Sequence, residues 1–454
     1  MNQQTDSYRL LIFNKAGTAV LLDRRDGREG YRLPWIEIPK WRRIAKEIIW
    51  AIRQLWQLRC VFLFCYLTPD QSEKCMYAVL EAWDQNCTVP AGLEWANVAG
   101  LALDGRDARA VDACLAKAIG KDQGGAEPFC RLGWMDTLTH WIEEVVRPLG
   151  SELTGDFVQL NGSETFSLVR FKTTKKPVWF KAVGYPNLHE YDVTQGLARL
   201  FPQHLPRILG SLPEWHGWLM EDSNGTRLYE STDLRLWSLA TEALADLQVS
   251  SVSRVEELQA IGCNYRSIEV LASRIDDLVD LVGELMERQP TTPPPILNTT
   301  QLRELAMHLK DACDQLADCG VPLALVHGDF TGGNIQVSTE RCVFIDWAEA
   351  YLSHPFVTFE YLLVHLPKER VNQDLWRKAL TETYLRRWQE VIPWGAAQEA
   401  LRLTPLIALL SHALPSSSDD SREKIEVPEF GKYLRSLSRR MWNEAQQIRR
   451  ASVA

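Results

Sequence analysis

Apolar and polar positions alternate in short runs over the first 120 residues. YRLLIF and TAVLLD have strand length and are separated by Asn14-Lys15-Ala16-Gly17, a turn signal. Within 41–58, Ile44, Ile48, Ile52 and Leu55 recur at the spacing of one helix face. CVFLFCYL and CMYAVLEAW predict two more strands, followed by a Pro-Ala-Gly-Leu-Glu-Trp turn. The polar, glycine-rich stretch 121–128 predicts a linker, and a helix is expected over 134–146.

A second strand-rich region opens near Asp156. FVQL, Asn161-Gly162 and TFSLVRF predict a hairpin, and VWFKAV predicts another strand. A helix is expected over 187–200, then a strand at WHGWLM. From Asp233 onward the pattern is mostly helical. It is interrupted by a stiff proline-rich connector at 291–295 and by a short motif-bearing segment at 325–350. No internal repeat is visible. The 454 residues exceed one ordinary domain. The pattern divides them into a small α/β domain (1–122), a linker and helix (123–150), a β-rich part (151–230) and a helical part (231–454).

Composition narrows the partners. The formal charge of −9 argues against a basic nucleic-acid-binding surface. No apolar run approaches the ~20 residues of a membrane helix, and the first residues lack a signal-peptide pattern, so a cytoplasmic protein is expected. The ten cysteines are scattered without a C-x-x-C pair, which predicts reduced thiols and no zinc site.

The chemistry concentrates in LVHGDFTGGNIQVSTERCVFIDWAEA. Phosphoryl transfer needs one carboxylate beside the attacking hydroxyl and two further oxygen ligands for Mg²⁺ on the nucleotide phosphates. Asp329 suits the first role, and Asn334 and Asp346 suit the second. Gly332-Gly333 gives the intervening loop backbone freedom. A surface turn with capping side chains would explain a lone D-x-x-x-x-N, but not the whole string H-G-D-x-x-x-x-N, apolar strand, I-D-W.

This segment resembles the catalytic loop and metal-binding strand end of the aminoglycoside phosphotransferase and choline kinase superfamily. The resemblance covers about 156–412 and implies an α+β, bilobal protein-kinase-like fold. It also implies Asp329 as catalytic base, Asn334 and Asp346 as metal ligands, and ATP with Mg²⁺ as cofactors. Lys181 in VWFKAV fits the lysine on a small-lobe strand, against the alternative of an edge strand in solvent. Glu190 is its candidate partner, although Asn187-Leu188-His189-Glu190 also reads as a capping box. Asn161-Gly162-Ser163-Glu164-Thr165 stands where the phosphate-covering loop belongs, with Ser163 and Thr165 as candidate ligands, and reads equally as an ordinary hairpin turn. Met220, Glu221 and Asp222 resemble the hinge that meets adenine. One departure stands out: where members carry a second aspartate after the metal aspartate, this chain has Thr358.

The first 122 residues are similar to a Nudix domain. Its glutamate-rich helix is replaced by Trp50-Ala51-Ile52-Arg53-Gln54-Leu55-Trp56-Gln57-Leu58, which implies a non-catalytic domain. The expected function is ATP- and Mg²⁺-dependent phosphorylation of a hydroxyl group on a small molecule such as an antibiotic, amino alcohol or other metabolite. The alternative is a pseudokinase that binds nucleotide or acts as a scaffold. Asp419, Asp420, Glu423 and Glu426 hint thinly at an acidic acceptor pocket.

Overall fold

The computed structural model describes residues 4–24, 31–40, 42–68, 75–83, 89, 91–101, 103–121, 126–292, 294–339, 341–367, 371–414 and 427–453. The four acidic residues at 419–426, and residues 122–125 of the linker expected at 121–128, lie outside them. The chain is α+β and forms two compact units, Met1–Tyr191 with Arg207–Asp222, and Asp192–Pro206 with Ser223–Ala454.

The first unit holds two sheets. Strands β1 (Thr5–Phe13), β2 (Ala19–Arg24), β3 (Tyr31–Arg32) and β4 (Trp35–Pro39) precede helix α1 (Ile44–Trp56). Strands β5 (Cys60–Leu67), β6 (Met76–Ala82) and β7 (Leu93–Asn97) follow, then helices α2 (Gly105–Ala118) and α3 (Trp134–Val146). β1 runs parallel to β6 and antiparallel to β2 and β4, in a seven-stranded sheet. The second half of β1, Leu10–Phe13, is covered on both faces and is apolar throughout. Tyr8, Leu10 and Ile12 meet Ala45, Ile48 and Ile52 of α1. Leu11 and Phe13 share the other core with α2 and α3. Ile44 and Leu55, expected on the buried face of α1, are 39% and 61% exposed, since they flank the stripe set by Ala45, Ile48 and Ile52.

The second sheet consists of β8 (Leu153–Gly162), β9 (Phe166–Thr173), β10 (Val178–Val183), β11 (Ile208–Leu212) and β12 (Gly217–Glu221), in the order β11-β12-β10-β9-β8. Between β10 and β11 comes helix α4 (His189–Leu200). The predicted hairpin forms, but its turn lies at 163–165. Asn161 and Gly162 stay in the ladder, paired with Leu168 and Ser167. The Ser163 hydroxyl accepts the N–H groups of Thr165 and Phe166 at 3.3 and 3.2 Å, and this local bonding fixes the reversal.

The two sheets share one core. Val169, Phe171, Phe180 and Ala182 pack with α3 and with the face of β1 that carries Leu11 and Phe13. Where β5 is irregular between Phe62 and Phe64, the side chain of Gln159 replaces a strand partner. It accepts the Phe62 N–H at 2.8 Å and donates to the Phe62 carbonyl at 2.9 Å. The N-terminal α/β part therefore belongs to the same packed body as the second sheet.

The second unit is helical around small sheets. Its elements are β13 (Thr226–Arg227), α5 (Leu234–Ser251), α6 (Val255–Ala260), β14 (Asn264–Tyr265), α7 (Ile268–Ser273), α8 (Ile275–Glu287) and α9 (Thr299–Asp318). These are followed by β15 (Ala324–Val326), β16 (Ile335–Val337), β17 (Cys342–Phe344), β18 (Tyr351–Ser353), α10 (Phe356–Val364), α11 (Gln373–Trp388), α12 (Trp394–Ala413) and α13 (Pro428–Val453). Gln248 on α5 is fully buried. It donates to the Pro355 carbonyl at 2.8 Å and accepts the Tyr384 hydroxyl at 2.6 Å, tying α5, the start of α10 and α11 together. Among the described residues no helix is long and apolar enough to cross a membrane.

The Gln159 bridge yields a stability prediction. Gln159→Ala leaves a buried N–H and a buried carbonyl of Phe62 without their partner, which should cost about 2–4 kcal/mol. Urea unfolding should show a lower midpoint with unchanged slope. A loss below about 0.5 kcal/mol would mean the bridge contributes nothing.

Candidate active site

The motif segment leaves β15 and turns at once. Gly328 has φ 82°, and a Cβ there would press into the Glu349 carbonyl oxygen, so only glycine fits. At Gly332 a Cβ would stand 2.8 Å from the Tyr229 backbone nitrogen, whose N–H donates to the Gly332 carbonyl at 3.2 Å. Thr331 N–H donates to the Asp329 carbonyl, and Asn334 N–H to the Thr331 carbonyl, both at 3.0 Å. The Asn334 amide nitrogen then donates to the Asp329 carbonyl and to its Oδ2, both at 2.9 Å. The Tyr361 hydroxyl donates to Oδ1 at 3.3 Å. Both oxygens of the Asp329 carboxylate thus have donors that hold its direction.

Asp346 is turned toward the same segment by its neighbour. The Ile345 N–H donates to the Asn334 carbonyl at 3.0 Å, and the Ile345 carbonyl lies 3.0 Å from Nε2 of His327. A carbonyl only accepts, so Nε2 carries the proton. The ring is packed beside Trp347 and Phe330, at 4.4 and 5.4 Å between centroids. Burial lowers its pKa. Asp346 itself has φ 71°, the left-handed region that aspartate tolerates better than most residues. Thr358 takes up the His327 N–H on its hydroxyl at 3.4 Å, so a neutral acceptor stands where the superfamily pattern has an aspartate.

The loop is acidic. Glu349 has its pKa raised, first by desolvation and then by the charges of Asp329 and Asp346. Asn334 spends its amide nitrogen on Asp329, which leaves its amide oxygen as an acceptor. That amide oxygen and the exposed Asp346 carboxylate are both hard oxygen donors, the chemistry that suits magnesium. Among the described residues no cluster of three or more His, Cys, Asp or Glu side chains forms a metal cage.

In the first unit, Lys181 lies on β10, the middle strand of its sheet, so the edge-strand alternative does not hold. Its ammonium is 8% exposed as a residue and contacts the Glu190 carboxylate, itself 2% exposed, in a buried ion pair. Glu190 stands in the first turn of α4, which brings it within reach of β10. The rings of Trp218 and Phe166 flank the ammonium at 5.7 and 5.9 Å.

The remaining candidates are occupied locally. The Ser163 and Thr165 hydroxyls lie 2.9 Å apart inside their own turn. Met220 sits within β12, paired on both sides, and the N–H groups of Glu221 and Asp222 donate to the carbonyls of Arg207 and Pro177 at 2.9 and 3.2 Å. The Asp222 carboxylate accepts from Trp179 Nε1 at 3.0 Å and Arg170 Nε at 3.2 Å.

Two residues at the loop escaped the sequence reading. Glu349 follows Asp346 by three positions, where D-W-A-E could have suggested a second acid. Tyr361 gave no signal, because a tyrosine on an apolar helix resembles any core aromatic. Beside it stand the rings of His365 and His412, at 4.4 and 4.8 Å.

Residues 188–398 match the model of a family described as the phosphotransferase enzyme family. The match does not reach the first 187 residues, where the Nudix-like similarity stays a resemblance. No curated protein matches the chain. Among solved structures, a macrolide 2'-phosphotransferase from Brachybacterium faecium is 16% identical, with 65% of this chain and 97% of that one covered and a TM-score of 0.45. A choline kinase from Cryptosporidium parvum is 12% identical, with coverage of 69% and 96% and a TM-score of 0.46. An ethanolamine kinase from Plasmodium vivax is 14% identical, with coverage of 74% and 96% and a TM-score of 0.45.

The turn at Gly328 can be tested without any substrate. Gly328→Ala combines a left-handed backbone with a clash against Glu349 and should cost about 3 kcal/mol or more. Gly333→Ala, whose Cβ would meet the Thr331 hydroxyl at 3.4 Å, should lose much less. Equal denaturation midpoints for the two variants would refute the steric argument.

Proposed function

We propose, for a chain whose residues 188–398 match the model of the phosphotransferase enzyme family, that it transfers the terminal phosphoryl group of ATP to a hydroxyl group of a small molecule. The observation that carries this reading is the Asp329 carboxylate, oriented by the Asn334 amide and the Tyr361 hydroxyl and linked through Ile345 to Asp346. In the proposed step Asp329 orients the acceptor hydroxyl and takes its proton. The freed oxygen forms a bond to the γ-phosphorus while the bond to the β–γ bridging oxygen breaks, leaving ADP and a phosphoester.

Asp346 and the amide oxygen of Asn334 would hold magnesium, which when bound neutralises phosphate charge. Lys181, kept charged by Glu190, would contact nucleotide phosphates, and the β8–β9 turn and Met220–Asp222 would meet the rest of the nucleotide. In the turn, backbone groups would serve, since the Ser163 and Thr165 hydroxyls are bonded to their own loop. The acceptor would approach Asp329 from the side of Tyr361, His365 and His412 in the second unit. This arrangement of aromatic and imidazole rings beside the base supports a small organic acceptor.

Two variants separate the roles. Asp329→Asn should lower kcat by about 10²-fold or more while ATP binding persists. Near-normal turnover on the acceptor that the wild type phosphorylates would end the assignment of Asp329. Asp346→Ala should abolish the gain in ATP affinity that Mg²⁺ confers, measured by calorimetric titration with and without the ion. An undiminished magnesium effect in that variant would show that Asp346 is not a ligand.

A further inference from the structure

The first unit contains a cavity of about 640 Å³ that the phosphotransferase reading does not use. Ser7 and Arg9 of β1 line it with Arg32, Trp35, Asp104, Arg106 and Asp107. It opens on the α2 face of the sheet. Arg9 alternates with Tyr8 and Leu10, which point into the α1 core, and follows the same face as Leu11 and Phe13. The cavity is therefore separated by the sheet from the helix on which the Nudix-like resemblance turns.

Three guanidinium groups and two carboxylates line the cavity, and the carboxylates are already engaged. Asp107 is buried and accepts from the Tyr77 hydroxyl at 2.8 Å, and Arg9 pairs with the same carboxylate. Asp104 is turned onto its own helix as the N-cap of α2 and accepts the N–H groups of Arg106 and Asp107 at 3.1 and 2.9 Å. Arg32 gives its Nε–H to Asp23 at 2.7 Å, one of five donors on a guanidinium that remains 49% exposed. The two carboxylates in the wall, Asp104 and Asp107, are thus each bonded within the protein, and Arg32 keeps donors beyond its bond to Asp23. Arg9 lies directly opposite Trp35 in the β1–β4 ladder, so their side chains share one face. Trp35 is 51% exposed, and a large apolar ring left half open beside clustered guanidinium groups forms a flat platform next to a cationic one. The volume lies within the range of small-molecule sites.

We propose that this cavity binds a small organic anion bearing a planar ring, with the anionic group on Arg9, Arg32 and Arg106 and the ring on Trp35. Arginine forks bind carboxylate and phosphate oxygens in pairs, and the tryptophan face takes a flat ring at little entropic cost. The test uses the full chain and 1-naphthyl phosphate, titrated by calorimetry in the absence of nucleotide and magnesium, so its outcome is independent of phosphotransfer. Saturable binding is expected, with inorganic phosphate and 1-naphthol each at least about tenfold weaker. Arg32→Gln and Trp35→Ala, both at exposed positions, should each weaken the complex about tenfold, and Trp35→Phe should keep most of it. Circular dichroism confirms that each variant is folded. Affinity for 1-naphthyl phosphate no greater than for inorganic phosphate, or wild-type affinity in both Arg32→Gln and Trp35→Ala, overturns the proposal.

Discussion

Both backbone groups of Ile345 are held by the segment that precedes it by a whole hairpin. Its N–H goes to the Asn334 carbonyl and its carbonyl to the His327 ring. These two bonds join the loop carrying Asp329 to the strand end carrying Asp346, and they leave Asp346 in a left-handed conformation that an isolated chain would seldom populate. Much else follows from them. His327 must carry a proton on Nε2, and its ring is buried beside Trp347 and Phe330, which lowers its pKa. Gly328 must lack a Cβ, because the returning chain passes at Glu349. Asn334 must be an amide, since it donates to Asp329 while retaining an acceptor oxygen. The spacing of the motif is thus a set of closure conditions.

In the first unit the corresponding constraint is the buried pair of Lys181 and Glu190. Two desolvated charges are costly, and their mutual attraction offsets that cost only when the surroundings hold the geometry. The surroundings here are deep: β10 is central in its sheet, and the core beneath it runs through α3 into the N-terminal sheet. The Gln159 bridge and the Lys117–Glu164 pair at 2.6 Å attach the β8–β9 hairpin to the same N-terminal elements. Packing of this extent explains how the sheet can keep a lysine in its interior.

The legible parts of the chain were those where one residue type has one use. H-G-D, N and I-D identified the loop, and a lysine inside an apolar strand identified β10, because charges and glycines in such places have few structural alternatives. Parts whose residue types have many uses were read less well. Asn161-Gly162 signals a turn in isolation, yet the ladder continues through it because Ser163 offers a tighter closure. Ile44 and Leu55 fit a helical period without lying at the centre of its buried stripe. The cavity beside Trp35 could not be read at all: Arg9, Arg32 and Arg106 stand on β1, β3 and the start of α2, and only the folded sheet brings them to one cavity.

Thr358 shows how composition at one position answers to charge at others. Where the superfamily pattern has an aspartate, the His327 N–H still needs an acceptor, and the threonine hydroxyl supplies one at 3.4 Å. A carboxylate at that point would add negative charge to a segment already holding Asp329, Asp346 and Glu349, where desolvation first, and then the charges of Asp329 and Asp346, raise the pKa of Glu349. The hydroxyl performs the bonding role at no electrostatic cost.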